Sequence, residues 1–284
     1  MKNTSQNYKS DIKPVWCPGC GDYGVLNGLQ KAFGDLNIAP ENIITVSGIG
    51  CSGRFSHYLN TYSLHGTHGR AVPTALGAKV ANPDMTVICV GGDGDGLGIG
   101  GGHVPHAARK NVDMTYILID NRIYGLTKGQ TSPTTPVGVR TKTAPYGAYE
   151  EPMEPLAMFL AYGTSFIART SPLELKKMVE IMKAAIQHKG FSIVYVLSPC
   201  VTFPVIDMKG LRSMLTPLPD DYDPRNRIRA YEYAYNKEQF YTGIFYQEER
   251  PTVEDYLQDQ ITKSLSYMKE GEKLTVEELL KSYV

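Results

Sequence analysis

Apolar side chains along this chain follow two spacings. Residues 43–46, 86–90, 114–120 and 192–197 are short, near-continuous runs rich in Ile, Val, Leu and Tyr. Runs this short, without polar alternation, predict strands buried on both faces. Between them the spacing changes to threes and fours. Val25, Leu26, Leu29 and Phe33 share one face of a helix predicted over 23–33. Leu173, Leu175, Met178, Ile181, Met182 and Ala185 do the same over 172–188, with Ser171 placed to cap the start and Gly190 following the end. Buried strands alternating with helices predict an α/β fold, a mostly parallel sheet with helices on both faces. This pattern covers an expected domain over 1–206. Over 207–284, an expected C-terminal arm, the strand–helix rhythm fades and Tyr222, Tyr231, Tyr233, Tyr235, Tyr241 and Tyr246 stand in polar sequence. Tyrosine joins a large contact area to a polar tip, so the arm is expected to pack on its own domain or to form a subunit interface.

Composition narrows the function classes. Lys and Arg number 29 and Asp and Glu 29 in 284 residues, so the basic field that nucleic acid or an anionic membrane would attract is missing. Hydrophobic residues at 42% can fill a sizeable core, and 20% charged residues are too few for a disordered chain. No apolar run approaches the roughly 20 residues of a membrane-spanning helix. Residues 1–14 are polar and lack the apolar stretch of a signal peptide. A soluble, cytoplasmic protein is the expectation.

Glycine changes the picture. The chain has 28, concentrated between Gly48 and Gly102. The strand at 86–90 runs into Gly91-Gly92-Asp93-Gly94-Asp95-Gly96, which leaves open backbone amides where an anion can sit. A carboxylate at that point would repel phosphate unless a divalent cation lay between them, so the turn predicts a metal-bridged diphosphate. No Lys follows the glycines as in a Walker motif. Gly48, Gly50 and Gly53 have dinucleotide spacing, but no acidic residue follows until Asp84, which argues against that reading. Asn121, 28 residues after Asp93, closes the next strand. A strand–helix–strand unit of that span returns to the same sheet edge, placing Asp93 beside Asn121 where α/β sheets bind ligands. Asp95, deeper in the turn, is expected to cap amides.

Five cysteines are present. Cys89 lies mid-strand and reads as a small buried hydrophobe. Cys17 and Cys20 flank a Pro-Gly turn, Cys51 follows the strand at 43–46, and Cys200 follows the strand at 192–197. A parallel sheet brings those strand ends to the edge that carries Asp93 and Asn121. A disulfide framework does not suit a cytoplasmic chain of this size. A dithiol redox pair would leave Cys51 and Cys200 idle. A four-thiolate centre uses all four, and zinc and iron–sulfur both satisfy the spacing. Position at the ligand edge favours the electron acceptor over structural zinc.

Gly92-Asp93-Gly94 with the later Asn121 resembles the diphosphate motif of thiamine diphosphate enzymes. That resemblance implies Mg²⁺ held by Asp93, Asn121 and the carbonyl of Ile123. Asp120 stands where the family usually has a first asparagine. Taken with Trp16-Cys17-Pro18-Gly19-Cys20-Gly21, Ser47-Gly48-Ile49-Gly50-Cys51-Ser52, His68-Gly69-Arg70-Ala71, Tyr124-Gly125-Leu126-Thr127-Lys128-Gly129-Gln130 and Pro199-Cys200, residues 14–200 resemble the β subunit of the 2-oxoacid:ferredoxin oxidoreductases, in its short 2-oxoglutarate-type form. The resemblance implies one 4Fe-4S cluster on Cys17, Cys20, Cys51 and Cys200. It implies thiamine diphosphate lined by Ile49, Gly50, Cys51, Ser52 and His68, with Gly94, Asp95, Gly125 and Leu126 at its diphosphate end. Arg54, where relatives often carry Lys, and His68 are the candidate catalytic residues. Lys128 is placed to bind phosphate or a substrate carboxylate.

The implied activity is coenzyme A-dependent oxidative decarboxylation of a 2-oxoacid to acyl-CoA and CO2, with electrons passed to ferredoxin, or the reverse synthesis. Pyruvate and branched-chain 2-oxoacids stand as rival substrates, and a non-redox thiamine enzyme with structural zinc as a rival reading. Thiamine enzymes also need a glutamate opposite the pyrimidine, carried on a second domain. Only the diphosphate half is legible here. An α subunit, or a fused α–γ subunit, is therefore the expected partner, in a hetero-oligomer with two copies of each. His57, His65, His103 and His106 are expected to be structural, and Lys176, Lys177 and Lys183 to lie on a solvated face.

Overall fold

The computed structural model describes residues 3–236 and 238–267. In chain order its elements are α1 (Asp22–Leu36), β1 (Ile43–Ser47), α2 (Phe55–Tyr58), β2 (Tyr62–His65), α3 (Ala71–Ala81), β3 (Thr86–Gly92), α4 (Val104–Lys110) and β4 (Met114–Asp120). There follow β5 (Ile123–Tyr124), β6 (Gln130–Thr131), α5 (Pro155–Ala161), β7 (Phe166–Thr170), α6 (Leu175–Gln187) and β8 (Phe191–Leu197). The chain continues through α7 (Met208–Met214), β9 (Leu215–Pro217), α8 (Arg227–Ala234), β10 (Phe240–Gln247) and α9 (Val253–Tyr267).

Eight strands form one sheet in the order β2-β1-β3-β4-β8-β7-β10-β9, and β5 and β6 form a small antiparallel pair. Every neighbour in the large sheet is parallel except β7 with β10. The expected α/β class and mostly parallel sheet are therefore found. The near-continuous apolar strands are explained by two cores, one on each face. Tyr116, Leu118, Ile193 and Tyr195 point to the face packed by Val104, Phe159 and Leu211. Ile117, Ile119, Val194 and Val196 point to the other, against Leu29, Phe33, Met178 and Met182. Alternate residues of one strand thus serve opposite cores, as the pleat requires. Cys89 is fully buried, as read from its mid-strand position.

The two predicted helices are α1 and α6. Ser171 accepts from the Leu173 amide at 3.3 Å, but the chain first makes a 3-10 turn over Pro172–Glu174, so α6 starts at Leu175. Two strands of the large sheet within residues 1–206 escape the pattern for local reasons. All four residues of β2 are exposed at the sheet edge. The apolar run of β7 is broken by Arg169, a buried guanidinium lying over Phe240 and Phe245.

Within the expected C-terminal arm, the described residues between 207 and 267 pack on the domain, one of the two outcomes expected for it. The arm carries α7, β9, α8, β10 and α9, and β10 pairs with β7 in the same sheet. Ala230, Ala234, Phe240, Phe245 and Tyr246 join the core packed on one face of that sheet. Its tyrosines are largely used internally. The Tyr222 hydroxyl donates to the Phe245 carbonyl, and the Tyr233 ring packs edge-on against Tyr222 and Tyr241. A polar, aromatic segment conceals strands whose partners lie far away in sequence, and residues 268–284 lie outside the described residues. One lysine expected on a solvated face needs correction. Lys177 Nζ donates to the Thr242 carbonyl at 2.9 Å and its hydroxyl at 2.8 Å, tying α6 to β10. Among the described residues no helix is long and apolar enough to cross a membrane.

Candidate functional site

Parallel pairing fixes the site. β3 lies between β1 and β4, and β4 between β3 and β8, so the loops after β1, β3, β4 and β8 converge on one edge. These loops carry Cys51, Asp93, Asn121 and Cys200. The expected side-by-side placement of Asp93 and Asn121 is found, at the ends of adjacent parallel strands.

The turn after β3 departs from expectation in shape. Gly94–Ile99 winds as a π-helical turn broken at Gly98, and α4 begins only at Val104. Turns of this wider winding recur at functional sites. Close approach explains two of the glycines: a Cβ on Gly94 would lie 2.2 Å from the Tyr124 ring, and one on Gly48 would lie 1.9 Å from Asp95 Oδ2.

Asp95 caps amides as expected, but those of two other loops. Its Oδ1 accepts from Ile49 N at 2.9 Å and Gly69 N at 2.8 Å, and lies 2.9 Å from His68 Nδ1. The carboxylate is 3% exposed and its Oδ2 has no partner among the described residues. Asp95 is thus a strut that ties the loops after β1 and β2 to the loop after β3, and it orients His68.

Asp93 is buried beside a second carboxylate. The Thr134 hydroxyl lies 2.9 Å from Asp93 Oδ2 and 2.8 Å from Asp120 Oδ1. One hydroxyl hydrogen cannot serve both, so one contact is complete only when a carboxyl is protonated. Burial, and then repulsion from Asp120, push Asp93 up to about 8. A divalent cation would offset the negative charge that burial and Asp120 disfavour, so the residues fit an ion at Asp93. Asn121 Oδ1 accepts from the Ile123 amide at 3.0 Å, a tight turn that sets the course of the chain at Ile123. Asp120 is held by the Arg122 amide at 2.7 Å and by the Tyr195 hydroxyl.

Ile49, Gly50, Cys51, Ser52, His68, Asp93, Gly94, Asp95, Asn121, Ile123, Gly125 and Leu126 all line one cleft. Cys17, Cys20, Cys51 and Cys200 line an adjoining cavity of about 220 Å³, with Arg54 and Lys128 also on its wall. The two share Asp22, Cys51, Asn121, Gly125 and Leu126. Every residue singled out in the sequence as a site candidate therefore lies on one of two joined spaces. A Cβ on Gly125 would sit 3.4 Å from Cys200 Sγ and 3.9 Å from Cys51 Sγ, so both thiols face the shared wall. Trp16 Nε1 donates to the Cys51 carbonyl at 2.8 Å, which anchors the Cys17 segment. The Thr202 hydroxyl lies 3.1 Å from Cys17 Sγ, and the Phe203 amide 3.3 Å from Cys200 Sγ. Burial, and then the Asp22 charge, push the Cys20 thiol well up and the Cys51 thiol to about 12. Among the described residues no group of three or more His, Cys, Asp and Glu side chains is arranged to hold a metal ion. The four cysteines line one cavity.

Two residues of the site carry no signal in the sequence. Asp22, 4% exposed, borders both spaces, and burial pushes it up to about 7. As the first residue of α1 it reads as an ordinary helix-start acid. Thr134 lies 41 residues from Asp93, in a hydroxyl-rich loop without spacing to mark it.

Comparison with known proteins follows the same lines. The family described as thiamine pyrophosphate enzyme, C-terminal TPP binding domain, matches residues 48–196. The family of the C-terminal region of the pyruvate ferredoxin oxidoreductase beta subunit matches residues 200–260. The 2-oxoacid:ferredoxin oxidoreductase 2 subunit beta of Aeropyrum pernix is 45% identical over 203 residues, 72% of this chain and 66% of that relative. The 2-oxoglutarate synthase subunit KorB of Archaeoglobus fulgidus is 36% identical over 274 residues, 96% of this chain and 98% of the relative. The solved 2-oxoglutarate:ferredoxin oxidoreductase from Magnetococcus marinus, with 2-oxoglutarate, coenzyme A and succinyl-CoA bound, superposes with a TM-score of 0.90 at 42% identity, covering 93% of this chain and 91% of that one.

Proposed function

The chain belongs to the β subunits of the 2-oxoacid:ferredoxin oxidoreductases, and from that premise we propose that it is the thiamine diphosphate-binding subunit of an enzyme acting on 2-oxoglutarate. The reaction is 2-oxoacid plus coenzyme A plus two oxidised ferredoxins, giving acyl-CoA, CO2, a proton and two reduced ferredoxins, or its reverse. Relatives named for 2-oxoglutarate, and the neighbour solved with it, support that substrate over pyruvate or branched-chain acids.

Bound thiamine diphosphate supplies a carbanion and an electron sink, and a 4Fe-4S cluster supplies a one-electron relay toward ferredoxin. This chain's part is to hold and orient. Asp93, Asn121 and the Ile123 carbonyl would hold Mg²⁺, the ion offsetting the buried Asp93 charge. Gly94, Asp95, Gly125 and Leu126 flank the diphosphate end. Ile49, Gly50, Cys51, Ser52 and His68 line the thiamine, with Asp95 fixing His68. Cys17, Cys20, Cys51 and Cys200 would carry the cluster. Arg54 and Lys128 are the cations placed for a carboxylate or phosphate of the substrates. Exposed Ile228, Tyr235 and Tyr256 on the arm suit an interface with an α or fused α–γ subunit, two copies of each.

The observation that carries this reading is the wall at Cys51, Asn121 and Gly125 common to the diphosphate cleft and the cysteine cavity. The test is anaerobic purification with the partner subunit, followed by coenzyme A-dependent reduction of a viologen dye. Broad visible absorbance, lost with Cys200→Ala, and turnover on 2-oxoglutarate are expected. A colourless, zinc-containing protein would favour the non-redox reading, and faster turnover of pyruvate would reassign the substrate.

A further inference from the structure

A cavity of about 240 Å³ opens behind Asp120, on the face of the sheet that packs α5 and α8. It lies outside both spaces described above. Two guanidinium groups line it and share one aromatic ring: Arg122 Cζ is 4.9 Å and Arg169 Cζ 5.6 Å from the centroid of Phe240. Arg169 is only 5% exposed. Its Nε donates to the Tyr241 carbonyl at 2.6 Å, while Nη2 is buried with no hydrogen-bond partner among the described residues. A charged donor left unmatched away from water is a costly group to keep. Burial lowers the Arg169 pKa to about 10; Tyr195 and Glu154 oppose that shift and Arg122 adds to it. Arg122 itself is placed by a left-handed backbone, φ +62°.

Glu154, on the same wall, attracts the Arg169 charge, but no carboxylate there hydrogen-bonds Nη2. Asp120 is taken up by the Arg122 amide, the Thr134 hydroxyl and the Tyr195 hydroxyl. Glu154 has an interaction of its own, and Arg169 Nη2 remains unmatched. The rest of the lining is largely apolar, with Met153, Leu156, Met214 and Phe240.

We propose that this cavity binds a small molecule with one carboxylate and a short apolar body. The planar guanidinium fork of Arg169 matches a carboxylate edge, with Arg122 as the second cation. The apolar wall accommodates the hydrocarbon body. A phosphate dianion fits less well, because it would add a second negative charge beside Asp120 and Glu154. Since Thr134 joins Asp120 to Asp93, the occupant sits behind the diphosphate cleft without entering it.

Calorimetric titration of the full-length chain, purified with its partner subunit, tests this with butyrate as probe and inorganic phosphate as the competing anion. Saturable butyrate binding is expected, weakened about tenfold or more by Arg122→Gln and by Arg169→Lys, which keeps the charge and loses the fork. If Arg169→Lys fails to fold, the less buried Arg122→Gln decides alone. Absence of saturable binding at millimolar butyrate, binding indifferent to Arg122→Gln, or tighter binding of phosphate would each overturn the proposal. Thiamine diphosphate and metal content, measured on the same samples, keep this outcome separate from the function proposed above.

Discussion

Thr134 shows what one hydroxyl can decide. It stands between two buried carboxylates and can donate to only one of them at a time. Its loss removes one of the side-chain hydrogen bonds that hold Asp93, Ser132 supplying another. Removing such an outer partner weakens a metal site by about 10–100-fold. Thr134→Val should therefore weaken Mg²⁺-dependent thiamine diphosphate binding by about that factor, read by calorimetry at fixed Mg²⁺, while the circular dichroism spectrum is kept. Unchanged affinity would remove Thr134 from the site. His188 makes a second prediction at this scale. It is buried against the Phe166 ring and 2.9 Å from Ser165 Oγ, and burial holds its pKa below the ordinary 6.5. A depressed value means that the folded chain prefers neutral His188. Its contribution is present above pH 6.5 and is lost as pH falls through the folded value. Urea unfolding should show stability dropping on acidification below 6.5, and His188→Gln should flatten that slope. The positions of the cysteines, Asp93 and Asn121 were legible because those residue types at strand ends have few bland uses. Thr134 and Asp22 were not, since a loop threonine and a helix-start aspartate have common local explanations.

Helix α6 separates what periodicity reveals from what it hides. Its apolar face was readable, because it depends on residues three and four apart, whereas Ser171 caps the 3-10 turn that leads into the helix and not α6 itself. The polar face of α6 was not readable. Nothing local distinguishes Lys177 from Lys176 or Lys183, yet only Lys177 meets Thr242, 65 positions away. A hydrogen bond from a charged group contributes about 1.5–3 kcal/mol. Lys177→Met should lower stability in denaturant titrations by about that much, against little change for Lys176→Met. Equal effects from the two would mean that the tie to β10 adds nothing. The same locality explains β7, where Arg169 interrupts the hydrophobic run and is accommodated only by Phe240 and Phe245 from β10.

At the scale of the molecule, the adjacency of β3 and β4 followed from a parallel crossover, and parallel pairing put the cleft and the cysteine cavity on one edge. The far side of the sheet was illegible for a physical reason. β7 pairs antiparallel with a strand more than 70 residues later, across an aromatic segment without alternation, and no crossover rule announces such a pairing. The consequence is testable. A chain ending at residue 206 would leave β7 as an open edge and remove Phe240 and Phe245 from the core. Loss of a buried Phe side chain costs about 3–5 kcal/mol, and the whole stability of a domain is about 5–15 kcal/mol, so these two residues alone consume much of it. The bared strand is also a template for association between chains. Residues 1–206 expressed alone should elute as aggregates on gel filtration and lack a cooperative unfolding transition. A monodisperse product with a sharp transition would instead mean that the sheet up to β7 is self-sufficient, and that the later strands serve the assembly rather than the fold.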